Sequence, residues 1–199
     1  NVSEADSKIY VLTLLKDNYY ENFLDNKKII FVKINFSNKY QLFFNIVKIF
    51  NIINSIKPDV IQTWMYHCNF IGGILAKIIG VNKIIWSVRH SNLILFKSKL
   101  TTILIDFLLI PLSYVIPTKI VYCSSFSKNI HENKFYNSKI SQIIFNGFFP
   151  NDFQINPDIK KIFLKKNKLE KNHLIIGAVG RFNMQKNHDF LFKFINLFK

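Results

Sequence analysis

Cysteine is nearly absent from this chain. Its 199 residues hold two, Cys68 and Cys123, in no C-x-x-C pair, which argues against a disulfide framework or a structural zinc site and fits a reducing cytoplasm. Acidic residues are also scarce: 12 Asp and Glu against 27 Lys and Arg leave a formal charge of +15. That excess favours anionic partners, whether nucleic acid, an acidic membrane surface or a phosphorylated substrate. Part of it is compositional, since Lys, Asn, Ile and Phe crowd the whole chain. No pair of carboxylates stands ready for the acid and base work of a glycoside hydrolase. Asp59 lies at the wrong end of its strand, and no metal-ligating cluster is visible. No repeat of fixed period and no low-complexity tract occurs.

Long hydrophobic runs are missing too. The most apolar stretch, 100–117, is interrupted by Asp106 and Pro111, and its charge-free part of about a dozen residues falls short of the roughly twenty that a bilayer requires. We expect a buried or interface-lying helix there. No signal peptide opens the chain, and its first residue is Asn, so the natural start is expected upstream. What is present suffices for a core: 49% of residues are hydrophobic and 16% aromatic, which excludes disorder.

In chain order the apolar pattern predicts strands over 8–15 and 28–34. An amphipathic helix over 40–56 follows, ended by Pro58. A strand over 59–63 exits through Trp64, Tyr66 and His67 into a small-residue helix over 70–79, stopped by Gly80. The strand 83–88 exits through Arg89, His90 and Ser91. Next come a strand over 119–123, a helix capped by Ser124 or Ser125 and reaching about residue 134, and a strand over 139–145 closed by Asn146-Gly147. From 148 to 172 the chain turns polar and Lys-rich, with Pro150 and Pro157. This reads as a connector carrying one short helix near 159–168.

The last unit is HLIIGAVGRFNMQKNHDFLFKF, residues 173–194. The apolar run 174–179 predicts a buried strand. Gly180 breaks it, a polar turn carries Arg181 and Lys186, and Phe190, Leu191, Phe194, Ile195 and Phe198 predict a helix face. A strand feeding a helix leaves the helix N-terminus, with its free N–H groups, at the carboxyl edge of the sheet, where anions bind. Arg181 as a flat fork and Lys186 as a point charge suit one phosphate or diphosphate. Two solvated cations in a Lys-rich chain would read the same way. Alternating strands and helices predict an α/β fold with parallel sheets. Ligands then sit beyond the strand carboxyl ends, where Trp64/His67, Arg89/His90, Ser124/Ser125, Asn146/Gly147 and Arg181 gather.

Several of these segments, in this order, resemble the retaining, nucleotide-sugar-dependent glycosyltransferases of family 4. They are PDVIQTWMYHCNFIGGILAKIIGV (58–81), WSVRHSN (86–92), S-x5-H (Ser125 to His131), IIFNGFFPNDF (143–153) and IIGAVGRFNMQKNHDFL (175–191). The resemblance implies the GT-B fold, two Rossmann-like domains facing across a cleft. Residues 1–150 would be the N-terminal acceptor-side domain without its first strand and Gly-rich loop, 151–172 the connector, and 173–199 the start of the donor-binding domain. It implies that Gly180, Arg181 and Lys186 hold the donor diphosphate, with Arg181 and Lys186 stabilising the leaving nucleotide. His90 would stand near the reaction centre, and His67, Arg89 and Asn146 would line the acceptor side. The family's acidic E-x7-E element would lie beyond residue 199, and the fragment alone is expected to be inactive. Phe135-Tyr136 stands where the family often has Gly-Tyr, and Phe149 where an acidic residue commonly follows Asn-Gly.

The resemblance implies a nucleotide-diphosphate sugar as co-substrate, with no bound cofactor or metal, and a glycan or lipid-linked acceptor in envelope polysaccharide synthesis. A cytoplasmic location follows, with peripheral contact to an acidic membrane at its inner face and no nucleic-acid partner. A non-transferase GT-B relative, epimerase-like or phosphorylase-like, is the alternative enzyme. A basic nucleic-acid or membrane-surface module is the non-enzymatic one, whose nucleic-acid form would bind with a steep salt dependence. His131 reads as a partly buried polar contact, His173 and His188 as surface residues, Trp64 and Trp86 as core, and the lysines of 160–171 as a solvated face.

Overall fold

The computed structural model describes residues 8–14, 29–34, 41–89, 99–148, 156–170, 172, 175–180, 182 and 186–198. The chain divides into two compact units, Asn1–Gly147 and Phe148–Lys199.

The first unit alternates strands and helices. Its elements are β1 (Ile9–Thr13), β2 (Ile29–Lys33), α1 (Leu42–Ile56), β3 (Val60–Trp64), α2 (Tyr66–Ile79), β4 (Lys83–Val88), α3 (Leu100–Leu112), β5 (Lys119–Tyr122), α4 (Ser125–Asn133) and β6 (Ser141–Ile143). All observed pairings are parallel, in a two-stranded sheet β1-β2 and a four-stranded sheet β3-β4-β5-β6. Each crossover between neighbours of the larger sheet carries a helix, as parallel strands require. All four carboxyl ends therefore share one rim.

The interior strands show why 83–88 and 119–122 are almost continuously apolar. In β4, Ile84, Trp86 and Val88 are buried on one face and Ser87 on the other, where Ile85 is partly buried, and in β5 Ile120, Val121 and Tyr122 are buried, so both faces of the central strands are covered. Tyr66 and Ala76 from α2, Leu109 from α3, Ile116 and Tyr136 complete that core. A second cluster joins Ile34, Ile49 and Ile53 to Leu75, packing Leu12 and Leu14 beside α1 and α2. The Trp86 ring presses so closely on α2 that a Cβ at Gly73 would lie 2.6 Å from its Nε1.

Four expectations change. α2 starts at Tyr66 rather than near residue 70, so Tyr66 and His67 belong to its first turn. Trp64 is 47% exposed rather than core: it is the last residue of β3, an edge strand of its sheet, and its neighbour Thr63 points inward instead. The strand expected over 139–145 shrinks to Ser141–Ile143, because the Asn137 side chain accepts from the Lys139 N–H and winds Ser138–Ile140 into a 3-10 turn. In the second unit, 175–179 forms no regular strand. Among the described residues no strand of that unit is there to pair with it, and an unpartnered strand leaves its backbone groups to water. The expected connector helix is present as α5 (Pro157–Lys166), capped by Asn156, and the terminal helix as α6 (His188–Ile195), followed by a 3-10 turn at Asn196–Phe198.

Candidate functional site

At the β3 exit the chain takes a conformation that only glycine adopts freely. Met65 has φ 74° and ψ 154°, a strain of order 1–3 kcal/mol that surrounding bonds must hold. Three observed bonds do so. The Met65 N–H donates to the Ser87 carbonyl at 3.2 Å and the Asn69 N–H to the Met65 carbonyl at 2.9 Å. Thr63 Oγ1 donates to Asn69 Oδ1 at 2.6 Å. The turn leaves Trp64 and His67 exposed on the rim. Partial burial, and then the nearby Lys99 charge, lower the His67 pKa, so at neutral pH it is an uncharged imidazole able to donate or accept a proton.

The neighbouring exits are joined across the sheet. Arg89, just past β4, donates through its guanidinium to Asn146 Oδ1, just past β6. Because β5 lies between them, this bond spans the β5 exit. There Ser124 Oγ accepts from the Ser127 N–H at 3.1 Å and caps α4. Of the residues expected on the acceptor side, Arg89 and Asn146 are thus brought together, and His67 stands at the next exit beside Lys99. His90 lies outside the described residues. A depression of about 420 Å³ lined by Asn54, Lys57, Asp59, Gly80 and Lys83 opens at the amino ends of β3 and β4, the edge opposite to where parallel sheets bind ligands.

Behind the rim sits a polar cluster that pattern reading did not assemble. His131 is fully buried. Its Nδ1 lies 2.7 Å from the Ser127 carbonyl, which can only accept, so Nδ1 carries the proton and Nε2 accepts from the Tyr66 hydroxyl at 2.8 Å. Tyr136 stacks edge-on to the imidazole, centroids 5.1 Å apart, and donates to Asp106 Oδ1 at 2.7 Å, while Lys134 Nζ reaches Asp106 Oδ2 at 2.9 Å. Burial first, then the Asp106 charge, push the Tyr66 and Tyr136 phenols far upward. Burial does the same to Tyr122. These rings are locked as neutral groups, and through Tyr66 the cluster fixes the first turn of α2. The legible signal was Asp106 itself, one carboxylate inside an apolar helix.

In the second unit the cationic turn is partly described. A Cβ on Gly180 would lie 3.3 to 3.5 Å from Cγ, Cδ and Cε of Lys186: the lysine stem runs along the space that glycine leaves. Phe182 stacks on His188 at 4.9 Å and 24°, closing the turn. Asn187, left-handed at φ 47°, hands the chain to α6, whose first turn holds Asp189. Gly180 and Lys186 therefore meet just ahead of a helix N-terminus. Arg181 lies outside the described residues, as does His173. Among the described residues, no three His, Cys, Asp or Glu side chains gather into a metal-ligating group.

Comparison with known proteins gives the same outline. The family model described as glycosyl transferase 4-like matches residues 2–146. No curated protein matches the chain. Among solved structures, three crystal structures of Anabaena HepE superimpose on it. The complex with UDP and glucose has a TM-score of 0.76 at 14% identity, that with UDP-glucose 0.74 at 15%, and that with UDP 0.73 at 16%. Each covers 92% of this chain, which spans 48% of the HepE chain.

Proposed function

The chain belongs to the glycosyl transferase 4-like family and has the α/β architecture of a GT-B Rossmann-like domain, and on that premise we propose that it serves a retaining sugar transfer from a nucleotide-diphosphate sugar. Residues 1–150 form the acceptor-side domain, 151–172 the connector and 173–199 the opening of the donor domain. The acceptor is a glycan or a lipid-linked intermediate of cell-envelope polysaccharide synthesis, met at the cytoplasmic face of the membrane. HepE, crystallised with UDP and with UDP-glucose, supports a uridine nucleotide as the first donor to try.

In this reading the bond from the anomeric carbon to the donor phosphate breaks, and a bond from the same carbon to an acceptor hydroxyl oxygen forms. The hydroxyl proton passes to the departing diphosphate. Negative charge grows on that diphosphate, so cations held beside it stabilise the transition state more than the ground state. Arg181 and Lys186 carry this role. His90 stands near the reacting carbon, and His67 and the Arg89–Asn146 pair orient the acceptor.

The observation that carries the reading is the Lys186 stem lying along Gly180 just ahead of α6, because a glycine there lets a diphosphate approach the backbone next to the ammonium. Arg181→Ala or Lys186→Ala in the active enzyme should lower kcat/KM by the equivalent of about 2 kcal/mol or more. Unchanged turnover in both variants would end the assignment.

A further inference from the structure

The polar cluster behind the rim is costlier than a core requires. Tyr66, Asp106, His131 and Tyr136 are all buried, and apolar side chains of the same volume would fill that space with no hydrogen bonds to satisfy. What directional bonds add is a fixed geometry between the elements they join. One of them joins α2 to α4. Nδ1 of His131 is tied to the Ser127 carbonyl of its own helix at 2.7 Å and Tyr136 stacks on the ring, so Nε2 is aimed at the Tyr66 hydroxyl, 2.8 Å away. Tyr66 is the first residue of α2, and the next is His67.

His67 is thereby an exposed residue between neighbours that are held in place. Tyr66 is bonded to His131, and Asn69 to Thr63 at 2.6 Å. Met65, ahead of both, keeps its strained φ of 74° with its N–H on the Ser87 carbonyl. No side chain caps α2 at Met65, where a cap would ordinarily define the first turn; the Tyr66 bond takes that place. Strain that its surroundings over-determine is one way in which a fold aims a side chain at a site. The side chain aimed here is His67, and the start of α3 brings the exposed Lys99 close enough to lower its pKa. An uncharged imidazole beside an ammonium offers one hydroxyl both an acceptor for its hydrogen and a donor to its oxygen.

We infer that His131 is a positioning residue for the rim: through the Tyr66 hydroxyl it sets where His67 stands beside Lys99, and that pair receives the hydroxyl of the acceptor. The acceptor's part rests on the sugar transfer proposed above, whereas the positioning is read without it. Ring-proton NMR of the full chain follows the His67 titration. Tyr66→Phe keeps the ring and deletes the bond, and should move the titration upward toward the ordinary histidine value as the imidazole gains water and distance from Lys99. His131→Leu should do the same, and the two together should do no more than either alone, since both cut one link. Tyr136→Phe, which leaves that link in place, should not move it. A His67 titration unmoved by Tyr66→Phe in a folded chain would overturn the proposal. So would an equal movement in Tyr136→Phe, which would mean general loosening of the cluster. In the active enzyme, Tyr66→Phe and His67→Asn should each lower kcat/KM about tenfold or more, with UDP affinity unchanged. Turnover unaffected by His67→Asn would end the acceptor contact, while sugar transfer itself stands or falls separately with Arg181 and Lys186.

Discussion

One added methyl group separates the two units of this chain. At Gly73, in the first unit, it would lie 2.6 Å from Nε1 of a fully buried Trp86 and 3.3 Å from Cγ2 of Ile116; at Gly180, in the second, its nearest neighbour would be the Lys186 stem at 3.3 Å. The first glycine is required by packing. Sheet, helix and indole ring meet there with no room to relax, and interiors of that density pass any volume change on to their neighbours. The second is bounded only by an exposed, flexible side chain. Among the described residues the second unit buries one apolar side chain, Leu164, against fifteen in the first. The first unit is thus defined by what it excludes, and the turn of the second by the charge it presents.

The sharpest way to break this contrast is Gly73→Ala. Overfilling should destabilise the first unit by about 3 kcal/mol, seen as a lower denaturant midpoint by Trp86 fluorescence. A midpoint equal to the parent's would mean that the ring is free to move and that the core is looser than its contacts imply.

Tyr136→Phe comes next. It keeps the ring against His131 but removes the hydroxyl that donates to Asp106 Oδ1, leaving a buried carboxylate with Lys134 as its remaining side-chain partner. We expect a loss of about 2 kcal/mol, the usual cost of stranding a buried acceptor. Asp106→Asn in the same background should recover part of it, because the charge is then gone. No recovery would show that the cluster is held by ring packing alone.

The strands that build the rim were legible because a strand covered on both faces must be largely apolar, as 84–88 and 120–122 are with Ser87 as the one exception. Ser124 and Ser125 were both legible as caps because a hydroxyl ahead of a helix has an N–H to satisfy, and the structure selects Ser124; His131 was legible as a polar contact, but it is fully rather than partly buried. What escaped were partnerships across long sequence distances. Tyr66 and His131 stand 65 residues apart and Asp106 and Tyr136 30, and no local pattern encodes such pairs. The apolar run 174–179 misled for the complementary reason. Hydrophobicity suits a residue to a sheet, but 175–179 becomes strand only where a second backbone is present to pair with it. Trp64 failed likewise, since its exposure depends on being last in an edge strand. Arg89 and Asn146 emerged as separate candidates, and only the strand order β4-β5-β6 reveals that they bond to each other.

A smaller effect is expected from pH. His67 has its pKa lowered by partial burial and by Lys99, so the unfolded chain binds its proton more readily than the folded one. Its contribution is neutral above the ordinary histidine range and turns destabilising as pH falls below that range toward the lowered folded value. Lys99→Gln should move the His67 imidazole titration, followed by NMR of its ring protons, upward toward the ordinary value. The change should stay partial, since burial is the larger cause. A titration unmoved by that substitution would place Lys99 too far from the rim to matter.

The smallest change in stability should come from Gly180→Ala. The new methyl meets Lys186 at a distance tighter than most natural contacts, yet the lysine stem can swing by a few tenths of an ångström at little cost because it is exposed. The unfolding midpoint should therefore move by less than about 0.5 kcal/mol. The ammonium at the tip of that stem moves with it, and under the proposed function the methyl would occupy space that a diphosphate needs for close approach to the backbone. UDP affinity, measured by calorimetry, should weaken by up to about tenfold, or 1.4 kcal/mol, in a protein as stable as its parent. Gly73→Ala would then damage folding and Gly180→Ala binding, although each adds the same carbon. A Gly180→Ala variant that binds UDP as tightly as the parent would instead make the turn an ordinary solvated loop.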